Sequence, residues 1–407
     1  MQSATMDAVS GGALANTIHP RPVILCFSHL RWNFVYQRPQ HLMSLAARDY
    51  DVIYFEEPVH EAVDAPRLRR TAVAPRVELA VPVLPLGMDD ADAVAAQRTL
   101  IDTRVAQLGA QPRLLWFYTP MALRFAAHLE HLVCVYDNMD ELSAFRHAPA
   151  QLAVLERELL ARTDVVFCGG RSLYQVKRAQ HRNAHAFPSS IDRRHFARAR
   201  AGLDDPPDQA SLPRPRLGYF GVVDERMDLE LLDTLAQQRP DWQWIMVGPT
   251  AKIDPQALPR RPNLHWLGMR RYEALPAYLA HWDVGIMPFA LNEATRFISP
   301  TKTPEFLAAG VPVVSTPIRD VVRPYGERGL VEIATTPDEW LAAIDRVFTR
   351  ERTPWLARVD RFLAGQSWEN TWQQMQALLD GTLHGRLRNA RRPARTTSSI
   401  ATEASHS

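Results

Sequence analysis

Long hydrophobic runs are missing from this chain of 407 residues. No stretch reaches the roughly 18 consecutive apolar residues of a membrane-spanning helix, and the start, MQSATMDAVSGGALANT, lacks the basic and apolar regions of a signal peptide. Cysteine is scarce too, because only Cys26, Cys134 and Cys168 occur, each within an apolar, strand-like run. Such cysteines are typical of buried free thiols in a reducing compartment. We therefore expect a cytoplasmic protein.

The chain also lacks a large excess of charge of either sign. The chain carries 47 lysine and arginine side chains against 45 aspartate and glutamate side chains, a formal net charge of +2. This balance excludes a protein whose whole surface is built for nucleic acid, so no nucleic acid partner is predicted. Cysteine and histidine nowhere have the spacing of zinc ligands, and no metal site is predicted. The segment GYFGVV lacks the G-x-G-x-x-G spacing, which argues against a dinucleotide dehydrogenase.

The sequence does contain a regular alternation of buried strands and amphipathic helices. Apolar runs such as RPVILCFS, DVIYFEE, RLLWFYTP and TDVVFCGG are separated by helical patterns, for example at 91–108 and 151–161. This alternation predicts an α/β fold with mostly parallel sheets and helices on both faces. It restarts after the proline-rich segment DDPPDQASLPRPR, so two domains are expected. Ligands are expected in the cleft between their strand ends.

These patterns divide the chain into six predicted parts. They are a disordered N-terminus at 1–19, a first Rossmann-like domain at 20–203, a linker at 204–216, a second Rossmann-like domain at 217–365, a last helix at 366–385 and a disordered basic tail at 386–407. A basic tail predicts peripheral contact with anionic phospholipid at the inner membrane, and a merely solvated chain end is the alternative.

The segment at 296–317, RFISPTKTPEFLAAGVPVVSTP, carries the clearest indication of a ligand site. Its helix is predicted to begin near Lys302 and to end at Gly310, where a left-handed cap is needed. The free N–H groups of a helix N-terminus suit phosphate, and Lys302 adds a formal charge there. Glu305, in the first turn, can accept hydrogen bonds from sugar hydroxyls. A nucleotide site is one interpretation, and an ordinary helix start is the other.

Taken in order, several segments resemble a known family. GYFGVVDERMDLELL, WQWIMVGP, NLHWLG, LPAYLAHWDVGIMPF and SPTKTPEFLAAGVPVVST follow one another as in the retaining group 1 (family 4) glycosyltransferases of GT-B fold. The resemblance covers 186–379 well and the first half loosely. It implies two Rossmann-like βαβ domains facing each other across a cleft, with a C-terminal helix crossing back to the N-terminal domain. It also implies sugar transfer from a nucleotide-sugar to a glycan or lipid-linked acceptor in bacterial polysaccharide or glycolipid synthesis, without metal or cofactor.

The resemblance assigns the donor side of this reaction. Glu305 matches the second glutamate of the family's paired-glutamate motif, which hydrogen-bonds the ribose. Arg226 stands where the family has the lysine of its phosphate-binding pair, after the Gly221 turn. Lys302, one of only three lysines, would be a second cation near the diphosphate. The predicted donor side is completed by neighbouring residues of the same motifs, namely Gly248, Arg296, Ser299 and Thr301.

Polar residues at the strand ends of the first domain are candidates for the acceptor side. Asp137 and Asp140 end the segment HLVCVYDNMDE, and one of them is predicted to orient the acceptor or the reacting sugar. The alternative is that Asp140 caps a helix and Asp137 binds loop amides. His29, Arg38 and His41 stand at the first strand-to-helix loop, where they can reach a phosphate or an acceptor. A surface arginine and a histidine on the helix are the alternative there.

The chain also departs from the family's pattern. Phe297 stands where the first glutamate of the pair is expected, and Val222 stands where an arginine follows the glycine turn. The glycine-rich loop after the first strand is replaced by the segment at 29–41. These departures leave open a sugar-nucleotide epimerase of the same fold, which needs no acceptor, and a non-catalytic nucleotide-sugar-binding protein.

Overall fold

The computed structural model describes residues 21–146 and 148–390, with side chains up to residue 383. The expected disordered N-terminus at 1–19 lies outside these residues, and so does the tail from residue 391 onward. Among the described residues, no helix has both the length and the apolar character that crossing a membrane requires.

The first domain is built on a nine-stranded sheet that is parallel except for one antiparallel hairpin strand. Its central strand is a continuous apolar run because it is covered on both faces. The spatial order is β3-β5-β2-β1-β6-β7-β8-β9, and β4 pairs with β5. The strands are β1 Val23–Ser28, β2 Asp51–Glu56, β3 Val59–Glu61, β4 Arg67–Ala74, β5 Val77–Pro85, β6 Arg113–Phe117, β7 Val133–Asn138, β8 Val165–Cys168 and β9 Ala184–Ala186.

The second domain has a six-stranded sheet in which every pair of strands is parallel. The spatial order is β12-β11-β10-β13-β14-β15. Strands that follow β10 are first added on one side of it and then, from β13 onward, on the other side. Such a switch point is where α/β sheets bind ligands. The strands are β10 Arg216–Phe220, β11 Gln243–Val247, β12 Leu264–Gly268, β13 Val284–Met287, β14 Val313–Ser315 and β15 Val331–Ile333.

Helices cover both faces of each sheet, as the alternation predicts. Those between the strands of the first domain are α1 Arg38–Ala46, α2 Asp90–Ala106, α3 Leu123–Ala126, α4 Leu152–Arg162 and α5 Arg171–Lys177. Those that follow are α6 Arg193–Ala197, α7 Leu229–Gln238, α8 Leu275–Leu279, α9 Lys302–Ala309, α10 Arg319–Val321, α11 Pro337–Thr349, α12 Arg352–Leu363 and α13 Trp368–Ala390.

The observed boundaries differ from the predicted ones in two places. Ile191 and Phe196 are fully buried in the core of the second domain, so the chain joins that domain well before residue 204. The proline-rich segment has no helix or strand before Arg216, where β10 begins, yet it is packed, since Gln209 accepts a hydrogen bond from the Trp282 indole at 3.0 Å. The last helix continues to Ala390, so residues 386–390 are helical rather than part of a disordered tail.

The last helix crosses back onto the first domain, as expected. Trp368, Trp372, Met375 and Leu379 are buried among side chains of the first domain's core. Ser367 caps the helix by accepting a hydrogen bond from the Asn370 N–H at 3.1 Å. Because this helix follows the second domain and packs on the first, it ties the two halves of the cleft together.

Aromatic rings of the first domain, the second domain and the last helix pack together at one contact between the domains, which we call the hinge. His41 stacks on Trp368 with ring centroids 4.7 Å apart, and His195 stacks on Tyr272 at 4.2 Å. Tyr36 joins the two pairs, 4.8 Å from the Tyr272 ring. Burial, with the nearby His195, lowers the pKa of His41 to about 3. His41 is therefore an uncharged packing residue of the hinge, and its predicted reach to a phosphate is wrong.

His41 makes the stability of the protein sensitive to acid. In the unfolded chain a histidine binds a proton below pH 6.5, whereas folded His41 does not until about pH 3. Stability that is present above pH 6.5 is thus lost as the pH falls, by about 2 kcal/mol at pH 5 for this residue. We expect the urea midpoint of wild type to fall more between pH 7.5 and 5 than that of His41→Phe, which keeps the stacked ring. Equal falls would contradict this assignment.

Candidate functional site

A cavity of about 320 Å³ lies between the two domains at the N-terminus of α9. The second domain contributes the predicted Gly221, Gly248, Thr301, Lys302 and Glu305 to its lining. The first domain contributes residues 33–37, which belong to the segment that replaces the family's glycine-rich loop. The structure therefore brings together five of the eight residues predicted for the donor side.

Lys302 and Glu305 form the charged floor of this cavity. Glu305 lies on the first turn of α9 with 8% of its surface exposed, and Gly310 ends the helix in the left-handed conformation, at φ +77°. Burial raises the pKa of Glu305, and the Lys302 charge opposes that shift. Burial lowers the pKa of Lys302, and the Glu305 charge opposes that shift as well. Each charge therefore stabilises the other in a poorly solvated place.

Two glycines allow the loops above this floor to approach closely. Gly221 has φ +134°, and a Cβ there would lie 2.4 Å from Lys302 Cε. Gly248 has φ +152°, and its Cβ would lie 1.8 Å from the Gly221 carbonyl oxygen. No other residue fits either position, because the backbone conformation and the space both exclude a side chain. The lysine therefore lies directly against the backbone that borders the cavity.

The three other residues predicted for the donor side lie outside this cavity. Arg226 holds Asp224 in a forked pair at 2.7 and 2.9 Å, and Arg296 is exposed beside Glu293, 3.4 Å away. Ser299 lines a separate pocket beside Asp320. The geometry gives Arg296 and Ser299 no contact with a nucleotide in the cavity, which corrects that part of the prediction. Arg226 remains close enough to the cleft to act on its charges.

Arg38 and Asp137 form an ion pair in which both side chains are fully buried. The guanidinium nitrogens of Arg38 lie 2.8–3.1 Å from the Asp137 carboxylate, and Arg38 also donates to the Phe187 carbonyl at 2.7 Å. Burial raises the pKa of Asp137, and Arg38 opposes the shift. Neither residue is open to a ligand in this arrangement. The structure thus pairs two predicted site residues with each other and corrects the phosphate role of Arg38.

Asp140, by contrast, faces the cations of the second domain. It follows β7 directly, and burial raises its pKa. Arg226, Lys302 and Lys252 oppose this shift through their charges, so all three lie near the Asp140 carboxyl. Of the two predicted carboxylates, Asp140 is therefore the one on which the cations of the second domain act.

His29 of the first domain lies within range of the Lys252 charge from the second domain. Burial lowers the pKa of His29 to about 4, and the charge of Lys252 contributes to the shift. His29 is consequently neutral near pH 7 and suits a hydroxyl better than a phosphate. Lys252 was missed by the sequence analysis, although the scarcity of lysine that drew attention to Lys302 applies to it equally.

A second cavity, of about 460 Å³, lies within the first domain beside the cleft. Ser28, Glu57 and Thr119 border it at the ends of β1, β2 and β6, and its interior is largely apolar. Arg124, the one arginine of its lining, pairs with Asp90. The apolar side chains that shape it include Phe27, Phe55, Met88, Ile101, Met121 and Phe125.

Carboxylates of the second domain accept hydrogen bonds from backbone N–H groups of the first domain. Asp320 of the second domain accepts from the N–H groups of Arg171 and Ser172, at 2.7 and 3.0 Å. Glu225 accepts from the Arg146 N–H at 3.0 Å. Asp320 lies on α10 and its two donors lie on α5, whereas Glu225 and Arg146 lie in loops, and all three bonds connect the two domains.

Comparison with known proteins bears on the family and on the fold. Residues 214–350 match the family model described as glycosyl transferases group 1. The putative teichuronic acid biosynthesis glycosyltransferase TuaH of Bacillus subtilis (strain 168) is 30% identical over 185 residues, which are 43% of this chain and 45% of that protein. The chain thus matches less than half the length of this relative. The predicted resemblance to the group 1 glycosyltransferases is confirmed.

Solved structures share the overall fold. A structure described as trehalose-6-phosphate from E. coli bound with UDP-2-fluoro glucose aligns with a TM-score of 0.65 and 13% identity, over 89% of this chain and 99% of the other. Sucrose-phosphate synthase from Thermosynechococcus elongatus aligns at 0.63 and 17%, over 91% of this chain and all of the other. At these identities the likeness shows the fold alone, and it confirms the predicted two-domain GT-B architecture.

The buried ion pair yields a prediction that separates a structural from a catalytic Asp137. Asp137→Asn leaves Arg38 buried without a counter-charge, which costs about 3–5 kcal/mol of stability. The double variant Arg38→Met/Asp137→Leu removes both charges and is expected to recover most of that loss in urea unfolding. Turnover that returns together with stability would confirm a structural role. A stable but inactive double variant would show that Asp137 takes part in the reaction.

Proposed function

Because the chain combines the GT-B fold with a group 1 glycosyl transferase region at 214–350, we propose that it transfers a sugar from a nucleotide-sugar to an acceptor hydroxyl. The observation that carries the proposal is the cavity between the domains, in which buried Glu305 lies beside Lys302 at a helix N-terminus. Glu305 is placed to bind the ribose hydroxyls, and Lys302 the diphosphate.

The proposed reaction needs charge stabilisation at the leaving group. As the bond between the sugar C1 and the diphosphate oxygen breaks, negative charge grows on the diphosphate. Lys302, the α9 N-terminus and nearby Arg226 supply positive charge there, so the proposal requires neither metal nor cofactor. A new bond forms between C1 and the acceptor oxygen, and the hydroxyl proton passes to an oxygen of the leaving diphosphate. We also propose that the configuration at C1 is retained, which is tested by comparing the anomeric configuration of the product with that of the donor.

We propose that Asp140 is the carboxylate that acts beside the transferred sugar. It lies near the donor-side cations yet belongs to the first domain, so closure of the cleft brings it to the sugar. A carboxylate there can orient the acceptor hydroxyl or a hydroxyl of the transferred sugar. Neutral His29 is a second hydrogen-bonding group at the same face.

The second cavity is the proposed acceptor site. Its interior is apolar, its arginine is already paired, and Glu57 at its rim makes it unsuited to a phosphate group. We therefore favour a lipid-linked acceptor over a free glycan. The relative named for teichuronic acid biosynthesis supports a role in polysaccharide assembly. Such an acceptor places the protein in the cytoplasm, in peripheral contact with the inner membrane.

Nucleotide binding provides the first test of the proposal. We expect one nucleoside diphosphate among UDP, GDP, ADP, CDP and dTDP to raise the thermal midpoint, since 100 times Kd of a ligand adds about 2.7 kcal/mol to stability. Glu305→Gln is expected to weaken that binding at least about tenfold, because the neutral amide loses the charge-assisted bonds to the ribose. Glu273→Gln, which changes an exposed carboxylate of the same cavity, is the matched control.

The products distinguish the three candidate functions. Slow hydrolysis of the bound nucleotide-sugar, and transfer when an acceptor is added, would support the glycosyltransferase. Interconversion of its sugar without an acceptor would support the epimerase instead. Binding with neither reaction would leave a nucleotide-sugar-binding protein, and no binding of any nucleotide would overturn the proposal.

The acceptor site can be tested by filling it from α2. Ala93 is buried and lines the second cavity, whereas Ala95 is exposed on the same helix. We expect Ala93→Phe to raise the KM for an alkyl glycoside acceptor about tenfold, through lost space, without changing donor affinity. Ala95→Phe should change neither quantity. An unaltered acceptor KM in a folded Ala93→Phe variant would place the acceptor elsewhere.

A further inference from the structure

Lys252 has a backbone conformation that a lysine rarely adopts. Its φ is +60°, and among the described residues only Arg76 shares a positive φ without being glycine. Arg76 has an ordinary reason, because it follows Pro75 in the two-residue turn between β4 and β5, where a type II turn requires positive φ. No hairpin explains Lys252. Such a conformation persists only where the surrounding structure imposes it, and it is frequent at functional sites.

The surrounding segment does impose this conformation. Before Lys252, the chain is bound to the neighbouring loop, since Val223 donates to the Pro249 carbonyl at 2.9 Å and Ala251 donates to the Val223 carbonyl at 3.0 Å. After Lys252, the Asp254 carboxylate accepts from the Gln256 N–H at 2.9 Å. Both flanks are therefore held by hydrogen bonds, and of the two residues between them, Lys252 is the one with the positive φ.

The charged end of the Lys252 side chain lies close to the first domain. The Lys252 ammonium lies 5.2 Å from the ring centroid of Phe145, a residue of the first domain. The Arg226 guanidinium lies 5.6 Å from the same ring. Lys252 is exposed and has no ion pair within the described part of the chain, whereas Arg226 is held by Asp224. Its charge also acts on Asp140, as do the charges of Lys302 and Arg226.

We propose that Lys252 is a further diphosphate-binding residue, a free cation that the strained loop holds opposite the first domain for the leaving group. This inference rests on the proposed glycosyl transfer and adds a residue to its donor site. Lys302 lies against Gly221 in the cavity lining, while Lys252 comes from the loop after β11 and lies near Phe145 of the first domain. The diphosphate would thus be bound between two lysines from two different loops, with Arg226 behind them.

Two substitutions separate the charge of Lys252 from its backbone. Lys252→Ala removes the charge and keeps a side chain at positive φ, whereas Lys252→Gly removes the charge and relieves the strain. We expect both variants to bind UDP, or whichever diphosphate shifts the wild type, about tenfold more weakly. The corresponding nucleoside, which has no phosphate, should bind all three proteins equally. Inorganic pyrophosphate, as a competitor, should lose the same factor as the diphosphate.

Arg76→Gly is the matched control for relieving backbone strain. It removes an exposed cation and a positive φ at the β4–β5 turn, away from the cleft, and should leave diphosphate affinity unchanged. Lys252→Gly should be at least as stable as Lys252→Ala, so that weaker binding cannot be assigned to unfolding. Lys252→Arg should restore part of the affinity if charge is what matters.

The outcomes distinguish this inference from the function on which it rests. If the wild type binds no nucleotide, the proposed function fails and Lys252 has no donor role. If Lys302→Ala weakens diphosphate binding but Lys252→Ala does not, the function stands and the Lys252 inference is wrong. Equal losses for the nucleoside and the diphosphate would show a structural role and overturn it. A change confined to the acceptor KM would also overturn it and assign Lys252 to the acceptor.

Discussion

Two fully buried charges, Arg38 and Asp137, fix the first domain's half of the cleft. Burying either charge alone would cost several kcal/mol, so each depends on the other and on the Phe187 carbonyl, which accepts a third bond from Arg38. The contact joins the start of α1, the end of β7 and the chain that leaves for the second domain. Three elements that are distant in sequence are thereby held in one arrangement.

The position of Asp140 depends on this arrangement. It lies three residues beyond Asp137, and the Asn138 side chain donates to its carbonyl at 2.9 Å. Because the ion pair with Arg38 fixes the end of β7, it also fixes the start of the turn that carries Asp140 toward the second domain. There the charges of Arg226, Lys302 and Lys252 act on Asp140, although Arg226 is itself paired with Asp224. A buried structural pair thus fixes the strand that presents a second carboxylate to the cations of the second domain.

Sequence patterns located the fold and the floor of the donor cavity because those features are local. Gly310 ends α9 as predicted, and Lys302 and Glu305 share the first turn of one short helix. The pairing of Arg38 with Asp137 joins residues 99 positions apart and leaves no periodic signal in either segment. His41 follows the same logic, since its hinge role arises from a contact with Trp368, more than 300 residues away. Arg296 and Ser299 were assigned by nearness in sequence, and the turn of the chain carries them away from the cavity.

The three lysines of the chain show why composition still held information that local patterns missed. Lys177 is buried and binds Glu141 and Glu156 at 3.0 and 2.8 Å, so it supports the loop of Asp140 from below. Lys252 and Lys302 act on Asp140 itself from the opposite domain. A guanidinium binds best to a flat carboxylate in a forked pair, as Arg226 does with Asp224. An ammonium is compact, so it fits against the Gly221 backbone and leaves its donors free to turn toward a phosphate oxygen. In a chain that uses arginine nearly everywhere else, all three lysines act on the one loop that carries Asp140 and Glu141.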